Sequence, residues 1–270
     1  MKNPLVSIII PTRNSDRTIS ACLKSIKKQT YKNIEIIVVD NNSTDTTKEI
    51  SKKYTKRVFN KGPERSAQRN FGALKSKGEY VLFIDSDMEL AKNVVKECVS
   101  KINDFGGIII PEVSFGTGFW AKCKALERSF YVGVDWLEAA RFFPKKIFIN
   151  FKGYDVNLIS GEDWDLNQKI KSKYKIARIS SYIKHNEGEL SLKKLLIKKM
   201  YYGSRISTYS SKKENSKDFK SQSSIVKRYK LFFSNPKMLF SNPVVGIGTL
   251  FMKTMEFAVV GIGYISKYEK

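Results

Sequence analysis

Two aspartates with one residue between them have the spacing that a divalent cation requires. Asp85 and Asp87 follow directly on the apolar run at residues 80–84, which is typical of a buried strand. Two carboxylates at the end of such a strand can both face a cleft, and their oxygens suit hard cations such as Mg2+ or Mn2+. A cation there would bridge a diphosphate and neutralise charge on a leaving group. The alternative is a loop that caps the following helix.

Polar clusters also follow two other apolar runs of the chain. The run at residues 6–10 is followed by Pro11-Thr12-Arg13-Asn14. The run at residues 34–39 is followed by Asp40-Asn41-Asn42-Ser43. Each cluster alone fits ordinary turn chemistry. Ligands of open α/β sheets bind outside the carboxyl ends of the strands, however. Three polar clusters at that edge therefore favour a ligand pocket.

The elements that position these clusters alternate between strand and helix patterns. Apolar, β-branched runs at residues 6–10, 34–39, 80–84 and 107–110 predict buried strands, and residues 58–59 predict a short one. Helical patterns lie between them, near residues 19–26, 66–74 and 92–102. Right-handed crossovers make such a series a mostly parallel sheet with helices on both faces. The predicted fold class is therefore α/β and Rossmann-like.

These motifs resemble those of the family-2 glycosyltransferases, which have the GT-A fold. The matching stretches are residues 6–14, 37–45, 69–72 with 78–87, and Gly161-Glu162-Asp163-Trp164-Asp165-Leu166. The resemblance covers about residues 4 to 190. It implies an inverting, metal-dependent transferase of the hexosyl type, which takes a sugar from a UDP- or GDP-linked donor and uses Mg2+ or Mn2+.

The resemblance also implies roles on the donor side. Pro11, Thr12, Arg13 and Asn14 would line the nucleotide pocket, and Asp40 would accept a hydrogen bond from the base ring. Arg69 would lie near the nucleotide or its phosphates, with Arg65 as a nearby competitor. Asp85 would contact both nucleotide and metal, and Asp87 and His185 would complete the metal ligands. For His185 a structural or surface role stays open.

On the acceptor side the resemblance points to the pair Glu162 and Asp163. Asp163 would be the general base that takes the proton of the acceptor hydroxyl. Glu162 is the alternative base, or it positions the acceptor. Trp164 would stack on a sugar face or pack in the core. A helix N-terminus that is simply rich in acids is the structural alternative.

The charge of the chain is strongly positive and unevenly distributed. Lys and Arg total 49 against 26 Asp and Glu, for a net charge of +23. Residues 171–235 alone carry 17 Lys/Arg and 4 Asp/Glu. A solvated basic surface typical of a Lys-rich proteome is the alternative, but the local excess favours a surface that docks polyanions.

The segment at residues 244–265 is apolar and reaches the length of about 20 residues that crosses a bilayer. Lys253 and Glu256 lie at its middle, three apart and able to pair, and buried charges there are costly in lipid. Two short interfacial helices or a hairpin are therefore expected rather than one clean span. A helix packed on the catalytic domain is the alternative.

We therefore expect a GT-A catalytic domain at residues 1–190 and a basic, apolar helical tail at residues 191–270. The tail would hold the enzyme on the anionic cytoplasmic face of the cell membrane, as a peripheral or monotopic protein or through a single C-terminal anchor. The expected acceptor is a hydroxyl of a lipid-linked or other glycan. A polyprenyl or dolichyl phosphate is the alternative acceptor, and it needs no base because it is already anionic.

Two other classes of protein fit the sequence less well. A dinucleotide-dependent oxidoreductase requires a glycine-rich turn after the first strand, and residues 11–17 contain no glycine. A basic nucleic-acid-binding protein would explain the net charge. The sequence has no basic motif interleaved with aromatics and no zinc pattern, however, and that function leaves the acidic pairs without a role. Nucleic acid is therefore not expected as a partner.

Overall fold

A computed structural model describes residues 3–212 and 216–265 of the chain. Its strands are β1 (Val6–Thr12), β2 (Ile34–Asp40), β3 (Val58–Asn60), β4 (Tyr80–Phe83), β5 (Met88–Leu90), β6 (Gly107–Ile109), β7 (Glu112–Thr117), β8 (Ala140–Pro144), β9 (Ile176–Arg178) and β10 (Ile183–Glu189). Its helices are α1 (Ile19–Lys27), α2 (Thr47–Lys52), α3 (Arg65–Lys75), α4 (Val94–Lys101), α5 (Phe119–Ser129), α6 (Lys145–Asn150), α7 (Glu162–Lys171), α8 (Leu192–Arg205), α9 (Ser207–Ser210), α10 (Ser216–Gln222), α11 (Ile225–Phe233), α12 (Pro236–Leu239) and α13 (Pro243–Ile265).

The chain forms two compact units that interleave along the sequence. The first comprises Met1–Pro111, Ala139–Val156 and Glu162–His185, and the second comprises Glu112–Glu138, Asn157–Gly161 and Asn186–Lys270. The predicted division at residue 190 lies close to His185, after which the chain passes from the first unit to the second for the last time. The prediction differs from these two units because it assigns residues 112–138 and 157–161 to the catalytic domain. Which segments fold as independent domains stays a prediction.

The first unit contains a seven-stranded sheet in the order β3-β2-β1-β4-β8-β6-β9. β1 pairs in parallel with both β2 and β4, and β2–β3 and β6–β9 are also parallel. β8 alone is antiparallel to its neighbours β4 and β6. The predicted α/β fold with a mostly parallel sheet is therefore confirmed.

Helices cover both faces of this sheet because successive residues of a strand point to opposite faces. In β1, Ile8 and Ile10 pack in one apolar cluster together with residues of α1 and α4. Ile9 packs in a second cluster, which contains residues of α3, α6 and α7. Burial on both faces explains why the strands are continuous apolar runs rather than alternating patterns.

The second unit is largely helical, and its last helix corrects an expectation. Residues 243–265 form the single helix α13, so the prediction of two short helices or a hairpin is wrong. The glycines of α13 do not break the helix because close packing requires them. A Cβ on Gly246 or Gly263 would overlap the backbone oxygens of Leu239 and Met200, respectively. Tertiary packing therefore outweighs the low helix propensity of glycine.

The two charges of α13 pair within the second unit, as the sequence predicted. Lys253 Nζ lies 2.7 Å from Glu256 Oε2, and both side chains are buried. Lys124 Nζ on α5 lies 2.6 Å from Glu127 and 2.9 Å from Glu256, which extends the pair into a buried network. Among the described residues, α13 is the one helix with the length and composition to cross a bilayer.

The packing of α3 on the sheet gives a testable prediction. Gly72 lies against β1 and β2, and an added Cβ would overlap Ile9 and lie 3.2 Å from a Val39 methyl. We expect Gly72→Ala to lower the free energy of unfolding by about 1–3 kcal/mol, because overpacking outweighs the helix-propensity gain. Urea denaturation measures the change. Leu74→Ala is the matched control, since Leu74 on the same helix is 68% exposed. Equal stability of the two variants would contradict this packing.

Candidate active site

The candidate site lies at the carboxyl edge of the first unit's sheet. β1 lies between β2 and β4, so the chain leaves β1 in one direction for β2 and the sheet continues on the other side through β4. Such a switch in strand order opens a crevice between the loops that follow the strands. The loops that begin after Thr12, Asp40 and Phe83 therefore form its walls.

The carboxylate of Asp40 is buried and organises the two loops on the β1 and β2 side. Thr12 Oγ1 donates to Oδ1 at 3.0 Å, and the Ser43 backbone N–H donates to Oδ2 at 2.8 Å. The Ser43 hydroxyl donates to Oδ1 at 2.5 Å, and Lys48 Nζ lies 3.4 Å from Oδ2. Three hydrogen bonds and one ion pair thus surround the Asp40 carboxylate. Asp40 thus holds the loop at residues 40–43 against β1.

Residues after β1 are held in place by the loop after β2. The backbone N–H of Asn14 donates to Ser43 Oγ at 2.8 Å, and the backbone N–H of Thr44 donates to Asn14 Oδ1 at 2.9 Å. Asn14 has a φ of 48°, a left-handed conformation that asparagine tolerates better than most residues. Arg13 and Asn14 are exposed, whereas Pro11 and Thr12 are buried. Of the predicted nucleotide-pocket residues, Arg13 and Asn14 are therefore accessible to a ligand.

Arg69 on α3 is the centre of the site. Its side chain is 1% exposed, and it donates through NH2 to Asp85 Oδ1 at 2.7 Å. Through NH1 it donates to Asp163 Oδ1 at 3.1 Å and to Glu162 Oε1 at 3.5 Å. Its guanidinium carbon lies 5.2 Å from the centre of the Tyr154 ring. Asp85 of the first predicted acidic pair and both members of the second, Glu162 and Asp163, thus meet on one guanidinium group.

Charge and burial shift the pKa values of these groups. Burial by itself would raise the pKa of Asp85, but the Arg69 guanidinium, assisted by Arg141 and Arg65, holds that pKa well below its usual range. Burial would likewise lower the pKa of Arg69, but the carboxylates of Asp85 and Asp163 raise it well above its ordinary value. Asp85 and Arg69 are therefore both charged across the physiological range.

Glu162 and Asp163 are adjacent in sequence but differ in access to solvent. The Glu162 side chain is 3% exposed and lies 3.0 Å from Arg65 NH2, whereas the Asp163 side chain is 35% exposed. Burial, followed by the negative charge of Asp163, raises the pKa of Glu162 against the opposing effect of Arg65 and Arg69. Of the two, only Asp163 therefore has both an ion pair with Arg69 and a side chain that solvent can reach. Trp164, next in sequence, is half-buried.

The predicted metal ligands are only partly brought together. His185 Nε2 on β10 lies 3.4 Å from Asp87 Oδ2, since β10 pairs with β5 and places His185 opposite Met88. Oδ1 of Asp87 is buried and has no hydrogen-bond partner among the described residues. Asp85 instead faces Arg69, and Arg141 NH1 lies 3.8 Å from its other oxygen. Within the described part of the chain, no three His, Cys, Asp or Glu side chains are gathered as a metal site.

The structure adds site residues that the motifs did not reveal. Arg141 reaches Asp85 from β8, and Tyr154 packs its ring under Arg69. Asn70 holds the Tyr154 backbone by two hydrogen bonds, of 2.7 Å and 2.9 Å. The resemblance marks residues 139–155 only as a segment on the acceptor side; the tertiary pairing of β8 and the turn after α6 bring Arg141 and Tyr154 to Asp85 and Arg69. For Asn70 the signal was its position directly after Arg69.

A family model described as glycosyl transferase family 2 matches residues 7–155. Among curated relatives, GlyG of Streptococcus pneumoniae is 35% identical over 108 residues, which cover 37% of this chain and 36% of the relative. The GalNAc(5)-diNAcBac-PP-undecaprenol beta-1,3-glucosyltransferase of Campylobacter jejuni is 32% identical over 122 residues, or 40% of this chain and 39% of the relative. The matches thus span less than half the length of these relatives.

Solved structures resemble the fold at low sequence identity. The mannosyltransferase PcManGT from Pyrobaculum calidifontis, in complex with GDP-Man and Mn2+, aligns with a TM-score of 0.65 and 13% identity, covering 98% of this chain and 88% of that one. TarS 1–349 of S. aureus, in complex with UDP, aligns with a TM-score of 0.52 and 17% identity, covering 98% and 91%. At these identities the likeness shows a GT-A-like fold and no more.

The contacts of Arg69 predict the stability of variants. Arg69→Gln leaves the half-buried carboxylate of Asp85 and the buried carboxylate of Glu162 without their shared cation, so we expect a loss of about 3–5 kcal/mol in the free energy of unfolding. Arg65→Gln is the control and should cost no more than about 1 kcal/mol, because the Arg65 side chain is 40% exposed. Urea denaturation of the ligand-free protein measures both variants.

The pH dependence of the Arg69 effect has a defined sign. The lowered pKa of Asp85 contributes stability above the unfolded value of about 3.9, and this contribution is lost as the pH falls and the carboxylate is protonated. The difference between wild type and Arg69→Gln should therefore shrink below about pH 4. A difference that stays constant from neutral to acidic pH would show that Arg69 stabilises the fold by packing alone.

Proposed function

This chain belongs to glycosyl transferase family 2, and we propose that it transfers a hexosyl group from a nucleoside-diphosphate sugar to a hydroxyl acceptor, with inversion. One observation carries the proposal. Arg69 binds Asp85 with one terminal nitrogen and Asp163 with the other, at 2.7 Å and 3.1 Å. Asp85, which is proposed for the donor side, and Asp163, which is proposed as the base, are therefore held on the same guanidinium group.

The donor pocket is proposed at the loops after β1, β2 and β4. The exposed Arg13 and Asn14 are free to contact a nucleotide, and Pro11 and Thr12 form the floor beneath them. We propose that Asp40 accepts a hydrogen bond from the base ring, in the position in which its hydrogen bonds with Thr12 and Ser43 hold it. UDP in the TarS complex and GDP-Man in the PcManGT complex support a UDP- or GDP-linked donor.

Asp163 is proposed as the general base. The acceptor oxygen attacks the anomeric carbon as the bond from that carbon to the diphosphate oxygen breaks, and Asp163 takes the hydroxyl proton. The negative charge leaves with the nucleoside diphosphate, close to Arg69 and Arg141. The exposure of Asp163 and the ion pair that orients its carboxylate support this role. Glu162 is too buried to reach an acceptor, so we assign it to positioning.

We propose Mg2+ or Mn2+ as the cofactor, held by Asp87 and His185 with Asp85. The unpartnered, buried Oδ1 of Asp87 and the neighbouring imidazole form a donor set that suits Mn2+. Asp85 fits this donor set less well because one of its oxygens faces Arg69 and the other faces Arg141. A bound cation supplies charge neutralisation to the leaving diphosphate. Mn2+ in the PcManGT complex supports this choice.

For the acceptor we propose a lipid-linked glycan at the cytoplasmic face of the cell membrane. The diphospho-undecaprenol glycans named for the relatives from Campylobacter jejuni and Escherichia coli support this class. The apolar helix α13 and the basic segment at residues 171–235 support a membrane location. We place Trp164 beside the acceptor as a surface on which a sugar ring stacks.

Replacing the proposed base gives the sharpest test of the reaction. Asp163→Asn should lower the turnover with a hydroxyl acceptor by about 10²- to 10⁴-fold and leave the donor Kd nearly unchanged. Released nucleoside diphosphate measures turnover, with a membrane lipid extract as acceptor, and calorimetry measures donor binding. Glu162→Gln is the contrasting variant, with a smaller loss of turnover.

The outcomes separate the two acceptor classes. Turnover above a tenth of the wild-type value in Asp163→Asn with a glycan acceptor would refute the base assignment. Preserved transfer to a polyprenyl phosphate, with loss of transfer to glycans, would favour the phosphate acceptor. Thermal stabilisation by single-stranded DNA but not by UDP or GDP would point to a nucleic-acid-binding protein instead.

Metal dependence is tested by nucleotide binding, independently of turnover. Asp87→Ala should weaken the Mn2+-dependent affinity for UDP or GDP at least about tenfold, because it removes the carboxylate whose Oδ1 is unpartnered. His185→Ala should weaken it less, and Glu89→Ala, on the following strand, should leave it unchanged. Calorimetry with and without Mn2+ gives the metal-dependent part. Full Mn2+-dependent affinity in Asp87→Ala would overturn the metal site.

A further inference from the structure

One side of helix α13 exposes large apolar side chains near both of its ends, with Ala258 between them. We call this row the apolar stripe; its members are Val244, Ile247, Phe251, Ile262 and Ile265, which are 51–66% exposed. At 100° per residue they fall within a sector about 60° wide, and they extend over about 32 Å of helix. Ala258 is exposed within the same sector. A row of this length and width exceeds what single exposed hydrophobic residues explain.

The opposite side of α13 faces the second unit and carries both of the helix's charges. Lys253 and Glu256 each lie about 120° from the nearer edge of the apolar stripe. They are buried against Lys124 and Glu127 of α5, at distances of 2.6–2.9 Å. Gly263 on this side packs against the backbone of α8. Only the face of α13 that carries the apolar stripe is thus available to a binding partner. Both charges of the helix are paired with residues of α5.

Helix α11 extends the apolar surface along one edge of α13. The Tyr229 hydroxyl lies 2.5 Å from Thr254 Oγ1 and donates to the Leu250 carbonyl at 3.3 Å, which fixes α11 beside the stripe. Val226 and Phe233 precede and follow Tyr229 by three and four residues and are exposed. Lys227 and Lys230 continue around α11 and are exposed as well. The apolar surface therefore has a cationic edge.

We infer that the apolar stripe of α13 lies in the plane of an anionic lipid surface, with α11 beside it, and that α13 does not cross the bilayer. Crossing would surround Lys253 and Glu256 with lipid or separate them from Lys124 and Glu127, whereas lying in the interface buries only the exposed face. This inference deepens the proposed membrane location and rests on it, but it is independent of the sugar and the acceptor.

Charge decides between lipid and a second copy of the chain as the occupant. The chain has a net charge of +23, and residues 171–235, which include α11, carry 17 Lys/Arg and 4 Asp/Glu. A second copy would bring the same cationic edge against itself, and like charges across an interface oppose association. Anionic headgroups are attracted to the same edge while the acyl chains accept the stripe.

Vesicle flotation of the full-length chain tests the occupant. The triple variant Val244→Ser, Ile247→Ser, Ile262→Ser should bind vesicles of phosphatidylcholine with phosphatidylglycerol at least about tenfold more weakly than wild type. Wild type should bind vesicles of phosphatidylcholine alone weakly, and added salt should weaken binding to the anionic vesicles. The control Leu74→Ser, Ile149→Ser, Val156→Ser removes three apolar residues of the first unit that are 39–68% exposed, and it should bind as wild type does.

A second measurement separates an in-plane helix from a span. Nitroxide labels on Ile247→Cys, Phe251→Cys and Ile262→Cys, each alone, should report the same shallow depth in anionic vesicles. The native cysteines are buried, so background labelling is low. A depth that is greatest at Phe251 and falls toward both other positions would show a span and overturn the inference. Loss of self-association in the triple variant, with vesicle binding retained, would assign the stripe to a second copy.

Donor hydrolysis by the triple variant keeps the two proposals distinguishable. Release of nucleoside diphosphate with water as acceptor needs no membrane, so the triple variant should retain the wild-type rate. Retained hydrolysis with lost vesicle binding supports the docking surface. Hydrolysis absent from wild type as well would count against the proposed transferase and leave the docking result standing.

Discussion

The first unit depends on one buried cation surrounded by carboxylates. Arg69 is almost fully removed from water, and a buried guanidinium is tolerated only when acids compensate it. Asp85 comes from the end of β4 and Glu162 and Asp163 from the first turn of α7, so none of these elements can shift without leaving a charge unpaired. The need to compensate this buried charge thus fixes the distance between the loop after β4 and the start of α7. A reaction that joins a donor and an acceptor needs this kind of fixed spacing.

Much of the sheet was predictable because its strands are buried on both faces. The runs at residues 6–10, 34–39 and 80–84 correspond to β1, β2 and β4, and burial on both faces makes such runs apolar throughout. β8 was missed because it pairs antiparallel between β4 and β6, a neighbour relation set by tertiary contacts alone. The continuity of α13 was missed because its glycines suggested breaks, whereas they serve close packing. The polar and charged composition of residues 210–224 predicts a loop, but this segment contains α10; its residues 213–215 lie outside the described part of the chain.

The site was predictable in its acids and less so in its partners. Strand ends mark where Asp40 and Asp85 lie, because the edge of a parallel sheet gathers them. Their partners come from elements distant in sequence: Arg141 from β8 and Tyr154 from the turn after α6. Arg69 was predicted near the nucleotide or its phosphates, and the structure buries it among the carboxylates of Asp85, Glu162 and Asp163, so a contact with nucleotide stays a prediction. Its sequence motif indicated importance, but burial, which decides between a ligand contact and a supporting role, follows only from the packed structure.

The buried network of the second unit has a consequence for the order of folding. Lys124 and its partner Glu256 are 132 residues apart, and α13 is synthesised after every segment of the first unit. A nascent chain can therefore complete its seven-stranded sheet while residues 112–138 still await their helical partner. Domains generally fold as units in the order of synthesis. The first unit can then be complete on the ribosome before α13 emerges, so Lys124 and Glu127 of α5 stay without their α13 partners, Glu256 and Lys253, until the last stage of synthesis.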